Sequence, residues 1–118
     1  MHIRFTTPDS GFDGTLFTHP VATDLATLLP LDLTFTDFND VEKVAPLGRA
    51  LTLAGVPSAD EPAPGEIGYY APTRSLVLYY GRVGRWPGLV RVGRFDLDLD
   101  ELRALPDGIR IQVALRDR

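Results

Sequence analysis

Residues 66–80 read EIGYYAPTRSLVLYY, and their pattern of apolar and aromatic residues restricts the possible folds. Two strands are predicted within it, at 66–71 and 75–80, because Pro, Thr and Arg at 72–74 favour a break between them. The second strand is apolar or aromatic at each position after its serine, so both of its faces require burial. One face carries Leu76, Leu78 and Tyr80, and the other carries Val77 and Tyr79. We therefore expect this strand to be central in a sheet or part of a closed barrel wall.

Further strands are predicted at both ends of the chain and between them, where apolar and polar residues alternate with a period of two. Residues 89–95 form one of these strands, and residues 15–18 return beside the first strand, with 11–14 as the turn of that hairpin. Residues 54–65 contain three prolines and two glycines and are predicted to form a long surface loop without regular structure. The predicted inward positions of the other strands are Ile3, Phe5, Leu31, Leu33, Phe35, Ile109, Ile111, Val113 and Leu115.

Two short helices are predicted from apolar residues at helical spacing. The first begins at Pro20, which suits the first turn of a helix, and ends before Pro30. The second follows Asp98, whose spacing to Glu101 matches a capping box. The apolar stripes of the two helices are Val21, Leu25, Leu28 and Leu29 in the first, and Leu99, Leu102 and Leu105 in the second.

Seven or eight short strands and two helices, without βαβ alternation, predict a mainly β protein. A closed antiparallel barrel of about eight strands is favoured, because closure pairs the edges of every strand and encloses a small core. An open α+β sandwich is the alternative. The length of 118 residues predicts that 1–118 form a single domain.

The composition excludes several classes of function. The chain has no cysteine, so it has no disulfides, thiolate metal ligands or thiol nucleophiles. Its net charge of −4 is unlike that of a nucleic-acid-binding domain, and no apolar run has the roughly 20 residues that span a membrane. The N-terminal residues lack the apolar core of a signal peptide. We expect a cytoplasmic protein that contacts neither nucleic acid nor membrane, whose oligomeric state is left open.

Several short matches resemble one protein family. The strand pair Gly65-Glu66-Ile67-Gly68-Tyr69-Tyr70-Ala71-Pro72 and Leu76-Val77-Leu78-Tyr79-Tyr80 resembles that of the small bacterial cyclophilin-like fold proteins. Supporting matches lie at 28–31, Glu42-Lys43 and 88–94, so the resemblance spans nearly the whole chain. It implies a closed barrel of about eight strands with helices at its ends, and it implies no particular activity. The Phe-His-Arg and Phe-Met-Gln-Gly-Gly-Asp segments of true cyclophilins are absent, so isomerase activity is not implied.

Motifs for other chemistry are sparse. The two histidines, His2 and His19, have no cysteine to join them in a metal site, and His19 is predicted to act at the start of the first helix. None of the three serines lies in a Gly-x-Ser-x-Gly turn, and the glycines at 81, 84 and 88 do not match a phosphate-binding loop. We expect no cofactor and no metal. A prolyl isomerase would need an arginine beside an apolar pocket, for which Arg49, Arg74 and Arg91 are the candidates.

A ligand site is predicted where the loop before Gly65, the turn after Tyr70 and the segment around Trp86 converge, because irregular segments on a rigid barrel carry most binding groups. The predicted site residues are Glu42, Arg49, Tyr70, Arg85 and Trp86. The aromatic residues supply flat apolar surface, the arginines positive charge, and Glu42 a hydrogen-bond acceptor. This pattern favours a module that binds a small anionic or aromatic ligand or a peptide. The alternative is an enzyme at the barrel mouth, a weak peptidyl-prolyl isomerase or a component of a redox system.

Overall fold

The computed structural model describes residues 1–116, and eight of its strands close into an antiparallel barrel. The order around the barrel is β1-β10-β3-β4-β7-β6-β9-β2, and β2 pairs with β1 to complete the ring. The prediction of a closed barrel is confirmed. The strands are β1 (His2–Thr6), β2 (Gly11–Leu16), β3 (Leu31–Phe38), β4 (Glu42–Pro46), β5 (Ala59–Asp60), β6 (Glu66–Tyr70), β7 (Ser75–Tyr79), β8 (Trp86–Pro87), β9 (Leu89–Asp96) and β10 (Ile109–Leu115).

Apolar side chains fill the barrel interior. Phe5 and Phe12 stack with ring centroids 4.6 Å apart, and Phe95 meets Phe12 edge to face. The first and last strands are neighbours, since Phe5 pairs with Val113 across β1 and β10. Leu115 was predicted to point inward but is 51 % exposed, because it is the last residue of β10 and lies at the end of the barrel wall. The remaining inward positions predicted in β1 and β10, Ile3, Ile109, Ile111 and Val113, are buried.

The turn of the first hairpin lies at residues 7–10, so its prediction at 11–14 is wrong. Thr7 N–H donates to the Ser10 carbonyl oxygen, and Gly11 and Gly14 belong to β2. Gly14 is needed for close packing and not for a turn, because a Cβ there would lie 2.8 Å from the Arg94 carbonyl oxygen. A glycine inside a strand often marks such a close approach of backbones.

Two helices begin where the sequence predicted them. Helix α1 (Pro20–Leu28) starts after His19, whose Nδ1 accepts a hydrogen bond from Ala22 N–H, and α2 (Leu99–Ala104) starts after Asp98, whose carboxylate accepts from Asp100 and Glu101 N–H. The capping role predicted for His19 is confirmed. Neither helix within residues 1–116 has the length and apolar character needed to cross a bilayer.

The long segment 54–65 contains one short piece of regular structure that its composition did not predict. Strand β5 pairs with β8 in a separate two-stranded sheet, with Asp60 opposite Trp86. This small sheet joins the long segment to residues 81–88. The two segments thereby lie beside the same side of the barrel wall, where β9 also contacts β5.

Candidate functional site

A groove with a volume of about 660 Å³ lies on the outer surface of the barrel, against β3, β4 and β7. We call it the outer groove. Strand β7 at its base is buried on both faces, as predicted: Leu76 and Leu78 pack in the barrel core, whereas Val77 and Tyr79 form a second apolar cluster outside it. The residues that line the outer groove include Phe38, Val41, Glu42, Val44, Tyr70, Val77, Tyr79, Arg82, Val83, Trp86 and Leu89.

The floor of the outer groove depends on Gly68. A Cβ at this position would lie 2.6 Å from both Cε2 and the hydroxyl oxygen of Tyr79. The Tyr79 ring therefore lies across β6, in space that any larger residue at position 68 would occupy. Burial raises the pKa of the Tyr79 hydroxyl, and the charges of Glu42 and Asp60 raise it further. No hydrogen bond contributes to this shift. It remains a neutral phenol that can donate a hydrogen bond to a bound molecule.

Two large aromatic side chains at the outer groove are open to solvent. Phe38 is 57 % exposed and Trp86 is 51 % exposed. Trp86 is nevertheless fixed in place, because its indole N–H donates to the Val83 carbonyl oxygen at 2.6 Å and its backbone pairs in β8. An exposed aromatic ring that is already anchored loses little conformational entropy when a ligand stacks on it.

Glu42 is the acidic residue of the outer groove. It is half-buried, and burial raises the pKa of its carboxyl group above the usual value. Within residues 1–116 the carboxylate takes part in none of the ion pairs, and no hydrogen bond or positive charge offsets the effect of burial on its pKa. The groove therefore contains an acidic group whose ionised form is poorly stabilised by the protein.

The neighbouring Lys43 points into the barrel, and its ammonium group is fully buried. Its Nζ donates to Asp37 Oδ1 at 2.8 Å and to the Leu105 carbonyl oxygen at 2.9 Å, and the Tyr80 hydroxyl donates to the same Asp37 oxygen at 2.9 Å. We call Asp37, Lys43 and Tyr80 the interior polar cluster. It joins β3 and β4 to the end of α2 and has a structural role.

The five predicted site residues do not all meet. Glu42, Tyr70 and Trp86 line the outer groove. Arg85 does not line it, and its guanidinium donates to the Ala59 carbonyl oxygen at 3.2 Å. Arg49 lies beside α1, where its guanidinium holds Asp24 at 2.7 Å. This hydrogen bond, with that from Thr52 N–H, lowers the pKa of Asp24 to about 2.

The outer groove is also lined by Phe38, Tyr79 and Arg82, which were not among the five predicted site residues. The signal for Tyr79 was present in the alternation of β7, which placed it opposite the core, but a buried outer face alone does not indicate a cavity. Arg82 lies at the outer groove, whereas the arginines considered for isomerase chemistry do not line it. Of those, Arg91 is held by Glu66, with Nε 2.8 Å from Oε1.

A second depression lies beside α1 and is more open to solvent. Its acidic residue, Asp24, is neutralised by Arg49. Within the described part of the chain, no three His, Cys, Asp or Glu side chains are grouped to hold a metal ion. The outer groove is thus the better candidate site.

Comparisons with known proteins agree with the barrel. The model of the cyclophilin-like family matches residues 5–114. Among solved structures, the chain is similar to that of a hypothetical protein from Archaeoglobus fulgidus, determined in solution, with a TM-score of 0.74 and 16 % sequence identity over 98 % of this chain and 95 % of that one. At this identity the likeness extends to the fold alone. A search of curated proteins gave no match.

Proposed function

This chain belongs to the cyclophilin-like family, and we propose that it is a binding module whose outer groove takes a small molecule with a flat apolar body or a short extended peptide. The observation that carries the proposal is the presence of two exposed aromatic side chains, Phe38 and Trp86, at one cavity. Isolated exposed apolar residues are common, but exposed aromatic residues that share a concave site favour ligand contact.

The dimensions and chemistry of the outer groove support this function. Its volume of about 660 Å³ falls within the roughly 300–1,000 Å³ typical of small-molecule sites. The walls are largely apolar, and a few polar groups are available to orient a ligand: the Glu42 carboxylate, the Tyr79 hydroxyl and the Arg82 guanidinium. Such a combination gives affinity through buried apolar area and specificity through a small number of hydrogen bonds.

Among residues 1–116, those that face the barrel interior form no comparable site. The interior is occupied by the apolar core, and its one buried cation is held by the interior polar cluster. Binding outside the barrel is therefore favoured over catalysis inside it. Two of the three arginines considered for isomerase chemistry are held in ion pairs, Arg49 with Asp24 and Arg91 with Glu66, which disfavours the isomerase alternative. A proline-containing peptide is consequently considered as a ligand and not as a substrate.

A thermal-shift screen of aromatic metabolites and proline-containing peptides tests the proposal. We expect a ligand that raises Tm of the wild-type protein and loses most of this effect with Trp86→Ala. The matched control is Leu115→Ala, because Leu115 has the same 51 % exposure but lies on β10, outside the outer groove. Equal loss in both variants, or stabilisation that persists in Trp86→Ala, contradicts binding at this groove.

A further inference from the structure

The position of Glu42 says which chemical class the outer groove can recognise. In the strand register Glu42 lies opposite Phe38 of β3 on one side and opposite Tyr79 of β7 on the other. Directly opposed residues on antiparallel strands have Cβ atoms about 5 Å apart and share a face. The carboxylate is therefore bracketed by two aromatic rings on the wall of the cavity.

Negative charge acts on Tyr79 at the floor of the outer groove. The pKa of Tyr79 is raised first by burial and then by the charges of Glu42 and Asp60, so both carboxylates act on the floor of the outer groove. Asp60 is opposite Trp86 in the β5–β8 pair. Aromatic faces also carry negative charge density, which attracts organic cations.

The arginines of the region do not neutralise Glu42. Arg82 lines the outer groove but is exposed to solvent and forms no ion pair with another residue of 1–116. The expectation of an anionic ligand depended on Arg49 and Arg85, and neither lines the groove. An anion bound here would displace water from the exposed Arg82 guanidinium and would be repelled by the half-buried Glu42 carboxylate. A cation at the same place is attracted by this carboxylate, so its binding is the more favourable of the two.

We propose that the outer groove is selective for organic cations, in which a protonated amine or a guanidinium is attached to an apolar or aromatic body. This inference rests on the proposed binding function and specifies its ligand class. The cationic head contacts the Glu42 carboxylate between Phe38 and Tyr79, and the apolar body lies against Tyr70 and Trp86. Arylalkylamines and basic side chains of an extended peptide have this chemistry.

Three small probes of similar shape test the charge preference: phenethylamine, 2-phenylethanol and 3-phenylpropionate. Trp86 is the sole tryptophan of the chain, so its fluorescence reports directly on the outer groove. We expect phenethylamine to bind about tenfold more tightly than 2-phenylethanol, the difference that one partly desolvated ion pair of about 1.4 kcal/mol provides. The anionic probe should bind most weakly.

Glu42→Gln is the decisive variant, because it removes the charge and keeps the shape. It should abolish the preference for phenethylamine and leave the affinity for 2-phenylethanol within about twofold. Glu101→Gln, an exposed acid on α2, is the matched control and should leave both affinities unchanged. Circular dichroism and Tm of each variant establish that it is folded.

The outcomes separate this inference from the proposed function. Equal binding of the three probes, or tightest binding of 3-phenylpropionate with loss in Arg82→Gln, overturns cation selectivity while the groove remains a binding site. Phenethylamine binding that survives Glu42→Gln also overturns it. If no probe alters the fluorescence of Trp86 and the thermal-shift screen finds no ligand dependent on Trp86, both the inference and the proposed function fail.

Discussion

Glu42 and Lys43 are adjacent on β4, yet they belong to regions with opposite electrostatic character. Lys43 faces the barrel interior, where Asp37 and the Leu105 carbonyl oxygen accept hydrogen bonds from its fully buried ammonium group. Glu42 faces the outer groove, and its half-buried carboxylate has no such partner within the described chain. Successive side chains of β4 point to opposite faces. The charge of Lys43 therefore meets hydrogen-bond acceptors inside the barrel, whereas the charge of Glu42 is available to a molecule in the outer groove.

In a barrel with few sequence motifs, the partners of each charged group distinguish structural residues from candidate functional ones. A buried charge that has an ion-pair partner and hydrogen bonds is explained by the fold, because these partners offset the cost of burial. A partly buried charge without partners is not explained by the fold, since the same position would be more stable with a neutral residue. The interior polar cluster therefore has a structural role, whereas the unpartnered carboxylate of Glu42 favours a role in ligand binding.

The largest expected effect concerns the interior. Ile111 is 1 % exposed in the core, on the strand that closes the barrel. Ile111→Ala should lower the free energy of unfolding by about 2–5 kcal/mol, because it removes buried methyl groups and leaves a cavity. Chemical denaturation measures this change. A cost below about 0.5 kcal/mol would show that β10 is peripheral and would break the distinction between a packed interior and an open exterior groove.

An intermediate effect is expected from the interior polar cluster. Lys43→Met keeps the length and apolar stem of the side chain but removes the donor to Asp37 and to the Leu105 carbonyl oxygen. The free energy of unfolding should fall by about 1–3 kcal/mol, because the ion pair with Asp37 is lost and the Leu105 carbonyl oxygen loses its donor, although Asp37 keeps the hydrogen bond from Tyr80. Denaturation of Lys43→Met beside Arg110→Met, an exposed cation on β10, provides the comparison. An unchanged stability would mean that the two charges of β4 do not differ as proposed.

The smallest expected effect is a gain in stability, at Glu42. Burial raises the pKa of Glu42 in the folded state, so folding favours the protonated form and the ionised carboxylate destabilises the protein at neutral pH. Glu42→Gln should therefore raise Tm at pH 7. The gain in the free energy of unfolding should be less than about 1 kcal/mol, because water still screens the carboxylate. The advantage should disappear as pH falls below the ordinary glutamate pKa of about 4.3, where both forms are neutral.

Tm of the wild type and of Glu42→Gln across this pH range provides the measurement. The effect of Asp24, which is present in both proteins, cancels in the difference between them. A variant that is less stable than the wild type at pH 7 would show that Glu42 has a stabilising partner in the folded protein, and the contrast with Lys43 would be lost.

Much of the fold could be predicted from residue periodicity, because alternation and helical spacing record which side chains need burial. The two apolar faces of β7, the inward residues of β1 and the caps at His19 and Asp98 follow from local chemistry. Strand β4 was not predicted as a strand, because it contains a buried lysine whose partners come from β3 and α2. The sequence of β4 alone does not reveal those partners.

The candidate site was harder to predict, because its members depend on the path of irregular segments. Glu42, Tyr70 and Trp86 were assigned to one site, and they line the outer groove, since each lies on or next to the wall of β4, β6 and β7. Arg49 was placed with them on charge alone, and its ion pair with Asp24 on α1 involves a contact across 25 residues. Phe38 is the last residue of β3 and Arg82 lies in the irregular segment before β8, and composition does not specify how the chain turns at either position.

The pairing of β1 with β10 also has a consequence for how the chain acquires its structure. Ile3 is opposite Leu115 and Phe5 is opposite Val113, so the ring closes only when the first and last strands of the sequence meet. Contacts between such distant segments must overcome a large loss of chain entropy before they contribute stability, and barrels of this kind fold in roughly milliseconds to seconds. During synthesis, β1 has no β10 partner until β10 has been made, so closure of the ring is a late step in folding.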